Sequence, residues 1–400
     1  MDSINYLLSI ETRGIKLGFE RTRSLMEACN NPHIGLPTIQ VVGTNGKGSV
    51  CAILASILKA ANYKTGLFTS PHLVRVNERI RINGNSIPDS EIDSFIQSYK
   101  LAIEKTKSTF FETTTALACW YFKKENVDIA IMETGLGGRL DSVSICEPLA
   151  TVITPISLDH MDILGETLKE IAVEKAGAMK KDILCLSARQ KAEVTVVLQS
   201  EALKKGTPLH FLNDNKSDGI NINIPGKKQK ENSELALAVL DNLNGYYISD
   251  SAIRKGLKTI QWHGRNQMLQ KNPYVIFDVA HNVEGMRCFL DYYKTLKISG
   301  ESTLVLALYL KKRIQDIISL LESSFQHIIC TETEGRNPMP ADILGSHFSL
   351  GYSFEIIKDS SAAILKGLNG LSPEDGMAIL GTHCLGPAVN DIFKISFDSI

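Results

Sequence analysis

Several features that would place a chain at once are missing from this one. Its eight cysteines, Cys29, Cys51, Cys119, Cys146, Cys185, Cys288, Cys330 and Cys384, form no Cys-x-x-Cys pair. They are scattered, and several lie in apolar runs such as Ile183-Leu184-Cys185-Leu186. That pattern reads as reduced core residues of a cytoplasmic chain, not as a disulfide framework or a zinc site. No stretch approaches the ~20 apolar residues of a membrane span. The first sixteen residues carry Asp2 and Glu11 and lack a basic start followed by an apolar run, so no secretory leader is expected. A charge surplus is missing too: 43 Lys and Arg face 44 Asp and Glu, for a formal net charge of −1. Bulk attraction to nucleic acid or to an anionic membrane is therefore not expected. Any anionic ligand must be held locally, by Lys, Arg, backbone N–H groups or metal. There is no GxSxG elbow, no internal repeat and no low-complexity segment. Gly135-Leu136-Gly137-Gly138 approaches a dinucleotide glycine run, but no acid follows at the ribose position on a clear strand.

What is present is ordinary globular material. The 400 residues, 44% hydrophobic and 22% charged, suggest two domains or three, each able to bury a core. The first part alternates short apolar strands with helices. Residues 37–42, 65–68, 127–134, 150–156 and 183–186 read as strands, the first and third ending in glycines. Residues 49–61 place Val50, Leu54, Ile57, Leu58 and Ala61 on one helical face, and 111–124 read as a buried helix. Thr167 and Glu170 form a capping-box pattern that opens a helix running to about residue 180. Residues 213–229 are polar, a loop or strand excursion, and 229–243 and 251–259 read as helices. A turn-rich stretch, 262–273, precedes a second series of strands at 274–280, 303–309, 327–331, 354–358 and 377–380. The expected architecture is α/β: a P-loop-type, mostly parallel sheet domain flanked by helices over residues 1–262, then a smaller Rossmann-like α/β domain over 263–400.

Ligands of such folds gather at the carboxyl ends of the strands, and the unusual residues lie there. Gly43-Thr44-Asn45-Gly46-Lys47-Gly48-Ser49 joins a strand to a helix. Its glycines let backbone N–H groups curl around phosphate, and the helix N-terminus adds positive potential. Lys47 can reach the β- and γ-phosphates and Ser49 can approach Mg²⁺, although Gly48 separates the two and departs from GxxxxGK[ST]. Glu133 ends a buried strand beside this loop, a natural place for a Mg²⁺ ligand or for a salt-bridged acid. His160 follows another strand and reads as a metal ligand or proton handler, or as a structural loop histidine. Lys175, from the residues alone, is a surface lysine. Arg265 lies where a hinge would, and Asp278, His281 and Asn282 follow a strand. An arginine there can clamp phosphate and Asp278 can hold a ribose hydroxyl or orient the arginine. Out of context the same residues make an ordinary surface arginine and a turn.

Six segments in order resemble the folylpolyglutamate synthase/dihydrofolate synthase family, a branch of the Mur-type peptide ligases. They are 44–49; Thr69-Ser70-Pro71-His72-Leu73 with Asn77-Glu78-Arg79-Ile80; 133–141; Leu158-Asp159-His160 through Glu174-Lys175-Ala176-Gly177; Gly226, Gln229 and Asn232; and Asp278-Val279-Ala280-His281-Asn282. The resemblance implies an ATP-dependent ligase that adds L-glutamate to a folate-type carboxylate, dihydropteroate or a reduced folate, through an acyl phosphate. It implies that Thr44, Asn45, Gly46, Lys47, Gly48, Ser49, Asn232, Arg265 and Asp278 bind ATP. Ser49, Ser70 and Glu133 would hold one Mg²⁺, and Glu133 and His160 a second. Lys175 would be carbamylated, making Lys47, Glu133, His160 and Lys175 the catalytic set. Phe111 and Leu140 would lie near the pterin, and His281 and Thr382 near the incoming glutamate. A cytoplasmic monomer without nucleic-acid or membrane partners is expected. Two segments depart from the family pattern: Leu310-Lys311-Lys312-Arg313 stands for Asp-Lys-Asp, and Gly381-Thr382-His383-Cys384-Leu385 for Gly-Ser-Leu-Tyr-Leu. A Mur-type ligase with another acceptor, or a P-loop switch protein that binds nucleotide without ligation, are the competing readings.

Overall fold

Apolar strands buried on both faces need a helical layer on each side, and the computed structural model, which describes residues 2–212, 219–310, 314–335, 337–349 and 351–400, has that arrangement twice. The first sheet contains β1 (Thr38–Val42), β2 (Thr65–Phe68), β3 (Ile80–Ile82), β4 (Asn85–Ser86), β5 (Ile129–Glu133), β6 (Ala150–Ile153), β7 (Cys185–Ser187) and β8 (Leu209–Phe211), in the order β4-β3-β2-β5-β1-β6-β7-β8. The strands β2, β5, β1, β6, β7 and β8 run parallel. The hairpin β3–β4 is antiparallel at one edge. In register, Val41 lies beside Glu133 and Val42 beside Ile153, so these three central strands end level with one another.

Alternate residues of β5 serve opposite faces, as strand geometry requires. Ala130 and Met132 join Tyr6, Leu25, Phe95 and Phe122 from helices Ser3–Ser9, Glu20–Ala28, Asp89–Thr106 and Phe110–Lys124. Ile129 and Ile131 join helix Lys47–Ala60 on the other side. That helix is buried all round, because helices Lys227–Asp241 and Asp250–Thr259 cover its outer face. The single apolar face expected from its periodicity understates this: the buried set also includes Cys51, Ala52 and Ile53.

The second sheet contains β9 (Gln267–Lys271), β10 (Tyr274–Asp278), β11 (Ser302–Leu306), β12 (His327–Cys330), β13 (Phe354–Ile356) and β14 (Gly376–Leu380), ordered β13-β12-β11-β14-β10-β9. All neighbours are parallel except β9 against β10. Residues 262–273, expected to be turns, therefore include a strand. Its side chains are half-buried and mixed in polarity, which hid it. The helix after Thr167 has the expected capping box, with Glu170 N–H to Thr167 Oγ1 at 3.2 Å and Thr167 N–H to Glu170 Oε2 at 2.9 Å. It ends at Ala176 rather than near 180. Helix Asp89–Thr106 and strand β8 had no counterpart in the sequence reading. Residues 213–218 of the polar excursion, and 311–313 of the Leu310–Arg313 departure, lie outside the described residues.

The helix after the glycine loop is seated through one close approach. A Cβ on Gly256 would stand 2.6 Å from Ile57 Cα, and Ser56 Oγ donates to the Gly256 carbonyl at 2.8 Å. Gly256→Ala is expected to force the two helices apart and cost about 1–3 kcal/mol, measured by urea denaturation. A change below the experimental error would contradict this packing.

Candidate active site

The level ends of β1, β5 and β6 open onto one cleft, closed on its far side by the start of the second sheet. The loop after β1 forms its floor. Thr44 is tied to the end of β6 by its N–H to the Pro155 carbonyl at 3.1 Å, and its hydroxyl donates to the Ser157 carbonyl at 3.1 Å. Gly46 has φ +90°, and a Cβ there would meet Asn232 Oδ1 at 2.6 Å, so only glycine fits between the loop and helix Lys227–Asp241. Lys47 Nζ lies 3.3 Å from the Thr44 carbonyl, curled over its own loop.

Glu133, at the end of β5, is 3% exposed and lines this cleft. Burial raises its pKa above the usual carboxylate range, against the pull of Lys47, the Ser70 N–H and Arg265. Ser70 N–H donates to Glu133 Oε2 at 3.0 Å. Ser49 is buried, and its hydroxyl has no hydrogen-bond partner among the described residues. An orphaned hydroxyl and a desolvated carboxylate at a phosphate loop are hard oxygen donors of the kind that fit Mg²⁺. Among the described residues no three His, Cys, Asp or Glu converge as a metal cage. A cation here would complete its shell with nucleotide and water oxygens, as Mg²⁺ commonly does.

Lys175 is not on the surface. It is 4% exposed, and its Nζ donates to the Gly43 carbonyl at 2.6 Å. The helix carrying it packs its Lys175 face inward against the loop after β1, so a charged residue on an unremarkable helix was misread. Burial first, then the Lys47 charge, brings its pKa down to about 7. Asp141, also buried, is pushed up to about 6 by burial while accepting N–H bonds from Leu136 and Val143 at 2.8 and 3.0 Å. His160 lines the cleft from an exposed, left-handed position (φ 49°) ahead of the short helix Met161–Leu164.

The second sheet contributes Arg265, Asp278 and His281 to the same cleft. Burial raises the pKa of Asp278, opposed by Arg265, and its oxygens accept the Asn266 and Ala280 N–H groups, each at 2.7 Å. His281 is half-exposed, with Nε2 3.6 Å from Asp159 Oδ2 and Nδ1 3.0 Å from the Val279 carbonyl. Asn282 donates from Nδ2 to Asn45 Oδ1 and to Asp159 Oδ2, both at 3.0 Å, which ties the phosphate loop to the second sheet. Asn266, Asn282 and Asp159 had no role in the sequence reading. Asn266 was detectable in principle as an asparagine in a turn, where it takes φ 45°.

Three proposed substrate residues do not line this cleft. Phe111 lies tilted against Phe68, with centroids 5.6 Å apart, and its ring stands close to where a Cβ on Gly135 would be. Leu140 is half-buried beyond the glycine run after β5. Thr382, 1% exposed, accepts the Cys384 N–H at 3.2 Å.

This double-sheet frame with a glycine loop at the junction is that of the Mur ligases: residues 41–181 match the Mur ligase middle domain and 264–383 the Mur ligase glutamate ligase domain. The chain is 36% identical over 342 residues to the dihydrofolate synthase/folylpolyglutamate synthase of Bacillus subtilis, covering 78% of this chain and 80% of the relative. Among solved structures, E. coli FolC in complex with DHPP and ADP superposes with a TM-score of 0.90 at 29% identity, over 98% of each chain. The Yersinia pestis bifunctional folylpolyglutamate synthase/dihydrofolate synthase, complexed with AMPPNP and Mn ion, does so with 0.87 at 28% identity, over 99% of this chain and 98% of that one. The chain belongs to the dihydrofolate synthase/folylpolyglutamate synthase family.

The depressed Lys175 pKa makes a stability prediction. Between about 7 and the ordinary 10.5 the unfolded chain binds the proton that the folded chain refuses, so the cost of burying this lysine grows as pH falls across that window and levels off below it. Lys175→Met is expected to raise the melting temperature most at pH 6–7 and progressively less toward pH 10, in bicarbonate-free buffer. A gain independent of pH would contradict the assignment.

Proposed function

We propose that this chain uses ATP to join L-glutamate to the carboxylate of a folate-type acceptor, with the cleft residues in the roles that follow. A free carboxylate is a poor acyl donor because its leaving group is oxide. An acceptor carboxylate oxygen therefore attacks the γ-phosphorus of ATP, ADP leaves, and an acyl phosphate results. The glutamate nitrogen then attacks the acyl carbon, phosphate leaves and the amine proton is lost. Two anions must meet in the first step, which Coulomb repulsion opposes.

The N–H groups of the loop, the N-terminus of helix Lys47–Ala60 and Lys47 itself would hold the phosphates and offset that repulsion. Thr44 and Asn45 would hold the loop in shape, and Asn232, Arg265 and Asp278 would grip the nucleotide from the facing side. Ser49, Ser70 and Glu133 would hold one Mg²⁺, and Glu133 with His160 a second. Bound there, Mg²⁺ would supply charge neutralisation of the phosphoryl oxygens. The orphaned Ser49 hydroxyl, lining the same cleft as the buried Glu133, is the observation that carries this reading. Lys175, buried and with a pKa of about 7, has the unprotonated amine that CO₂ addition requires, which supports carbamylation. Phe111 and Leu140 would flank the pterin, and His281 and Thr382 the incoming glutamate. The units would be residues 1–262 and 263–400, acting as a cytoplasmic monomer whose two parts close over the acyl phosphate and keep water from it.

Lys47→Ala and Glu133→Gln are each expected to lower turnover by about 10²–10³-fold or more, with an unchanged far-ultraviolet circular dichroism spectrum. Near-normal turnover in either variant would contradict the assignment. Enzyme stripped of CO₂ is expected to lose activity and regain it on adding bicarbonate. Indifference to bicarbonate would leave Lys175 as a plain buried amine.

A further inference from the structure

The last paired residues of β6 and β7 are Ile153 and Ser187, and the Ala188 N–H still reaches the Ile153 carbonyl at 2.8 Å. Past that point a side chain takes over from the backbone. Gln190 Oε1 accepts the Ile156 N–H at 3.0 Å, and its Nε2 donates to the Thr154 carbonyl at 3.1 Å. Nε2 also donates to Ser187 Oγ at 3.2 Å. Thr154 and Ile156 are buried, so their backbone groups need partners from the protein. An amide suits them because it carries an acceptor and a donor on one planar group. Gln190 thus extends the sheet ladder around the turn that follows β6.

That turn holds the glycine loop. The Pro155 carbonyl accepts the Thr44 and Asn45 N–H groups at 3.1 and 3.4 Å. Ser157 N–H donates to Thr44 Oγ1 at 3.1 Å, and Ser157 Oγ accepts from Asn45 Nδ2 at 3.2 Å. Arg189, one residue before Gln190, reaches the other way. Its two terminal nitrogens donate to the two oxygens of Glu234, at 3.1 and 2.8 Å, and a paired arginine fork fixes orientation as well as distance. Glu234 lies on helix Lys227–Asp241, the helix whose Asn232 Oδ1 would stand 2.6 Å from a Cβ on Gly46. Two consecutive residues therefore reach both sides of the loop, although neither lines the cleft.

We infer that Arg189 and Gln190 are positioning residues for the glycine loop and fix the place at which nucleotide phosphates are held. Gln190 acts through the turn at 154–157 on Thr44 and Asn45. Arg189 acts through Glu234 and Asn232 on Gly46. The inference rests on the reading of residues 43–49 as the phosphate site. Backbone N–H groups bind phosphate well only when they converge. A turn or helix that shifts spreads them, and the loss falls on the nucleotide rather than on glutamate or the acceptor.

The test is titration calorimetry of the full chain with MgADP, joined to steady-state kinetics in which ATP and glutamate are varied in turn. Gln190→Met keeps the length of the side chain and removes its hydrogen bonds. Arg189→Met removes the Glu234 pair and leaves the turn after β6 untouched. Each variant is expected to bind MgADP about tenfold more weakly, the scale on which residues supporting a site from behind act. The KM for ATP is expected to rise by the same factor, and the KM for glutamate to stay as in the wild type. A lower melting temperature with unchanged MgADP affinity would make the two residues ordinary packing and overturn the inference. An equal rise in both KM values would overturn it too. If Gln190→Met does not fold, Arg189→Met decides, and wild-type MgADP affinity in that variant counts against the inference. Failure of the wild-type chain to bind MgADP would instead overturn the phosphate-site reading, and the inference with it.

Discussion

The parallel register of β1 between β5 and β6 is the constraint on which the cleft depends. With Val41 beside Glu133 and Val42 beside Ile153, the glycine loop, the Glu133 carboxylate and the turn carrying Asp159 must emerge at the same level. The pairing puts ionisable groups where water is scarce. Glu133 and Asp141 are pushed toward their neutral forms by burial, and Lys175 is pushed the same way from the other sign. In such surroundings charges interact far more strongly than in water. Removing one partner of a desolvated set leaves the others unbalanced. The nucleotide and its cation would enter a site already set for them.

The second sheet matters because of where it touches the first. Asn282 begins helix Val283–Tyr293, accepting the Gly285 N–H at 2.8 Å. The same side chain reaches Asn45 of the phosphate loop and Asp159 of the turn after β6. Burial raises the pKa of both Glu133 and Asp278, and the Arg265 charge opposes that rise at each. Polar groups thus link the two sheets around the cleft, while Leu73 and Val74 of the first part pack against the apolar core of the second.

Much of this was legible in the residues. The strands β1, β2, β5 and β6 are short apolar runs ending in glycine, proline or polar residues, and their carboxyl ends pointed to the cleft before any geometry was known. Gly43–Ser49 and Glu133 could be paired because both close strands of one sheet. Lys175 could not be placed in the same way. Helix Leu168–Ala176 carries charges at Lys169, Glu170, Glu174 and Lys175, and periodicity does not tell which of them the tertiary packing will bury. β9 was missed because its residues are half-buried and mixed in polarity.

The most direct test of the central claim is to incubate the purified chain with ATP, Mg²⁺ and glutamate, with dihydropteroate or a reduced folate in separate reactions, and to follow ADP and product mass. The account predicts a product one glutamyl unit heavier in at least one reaction, with ADP formed in step. ADP release without a heavier product from either acceptor, by a folded chain, would contradict it.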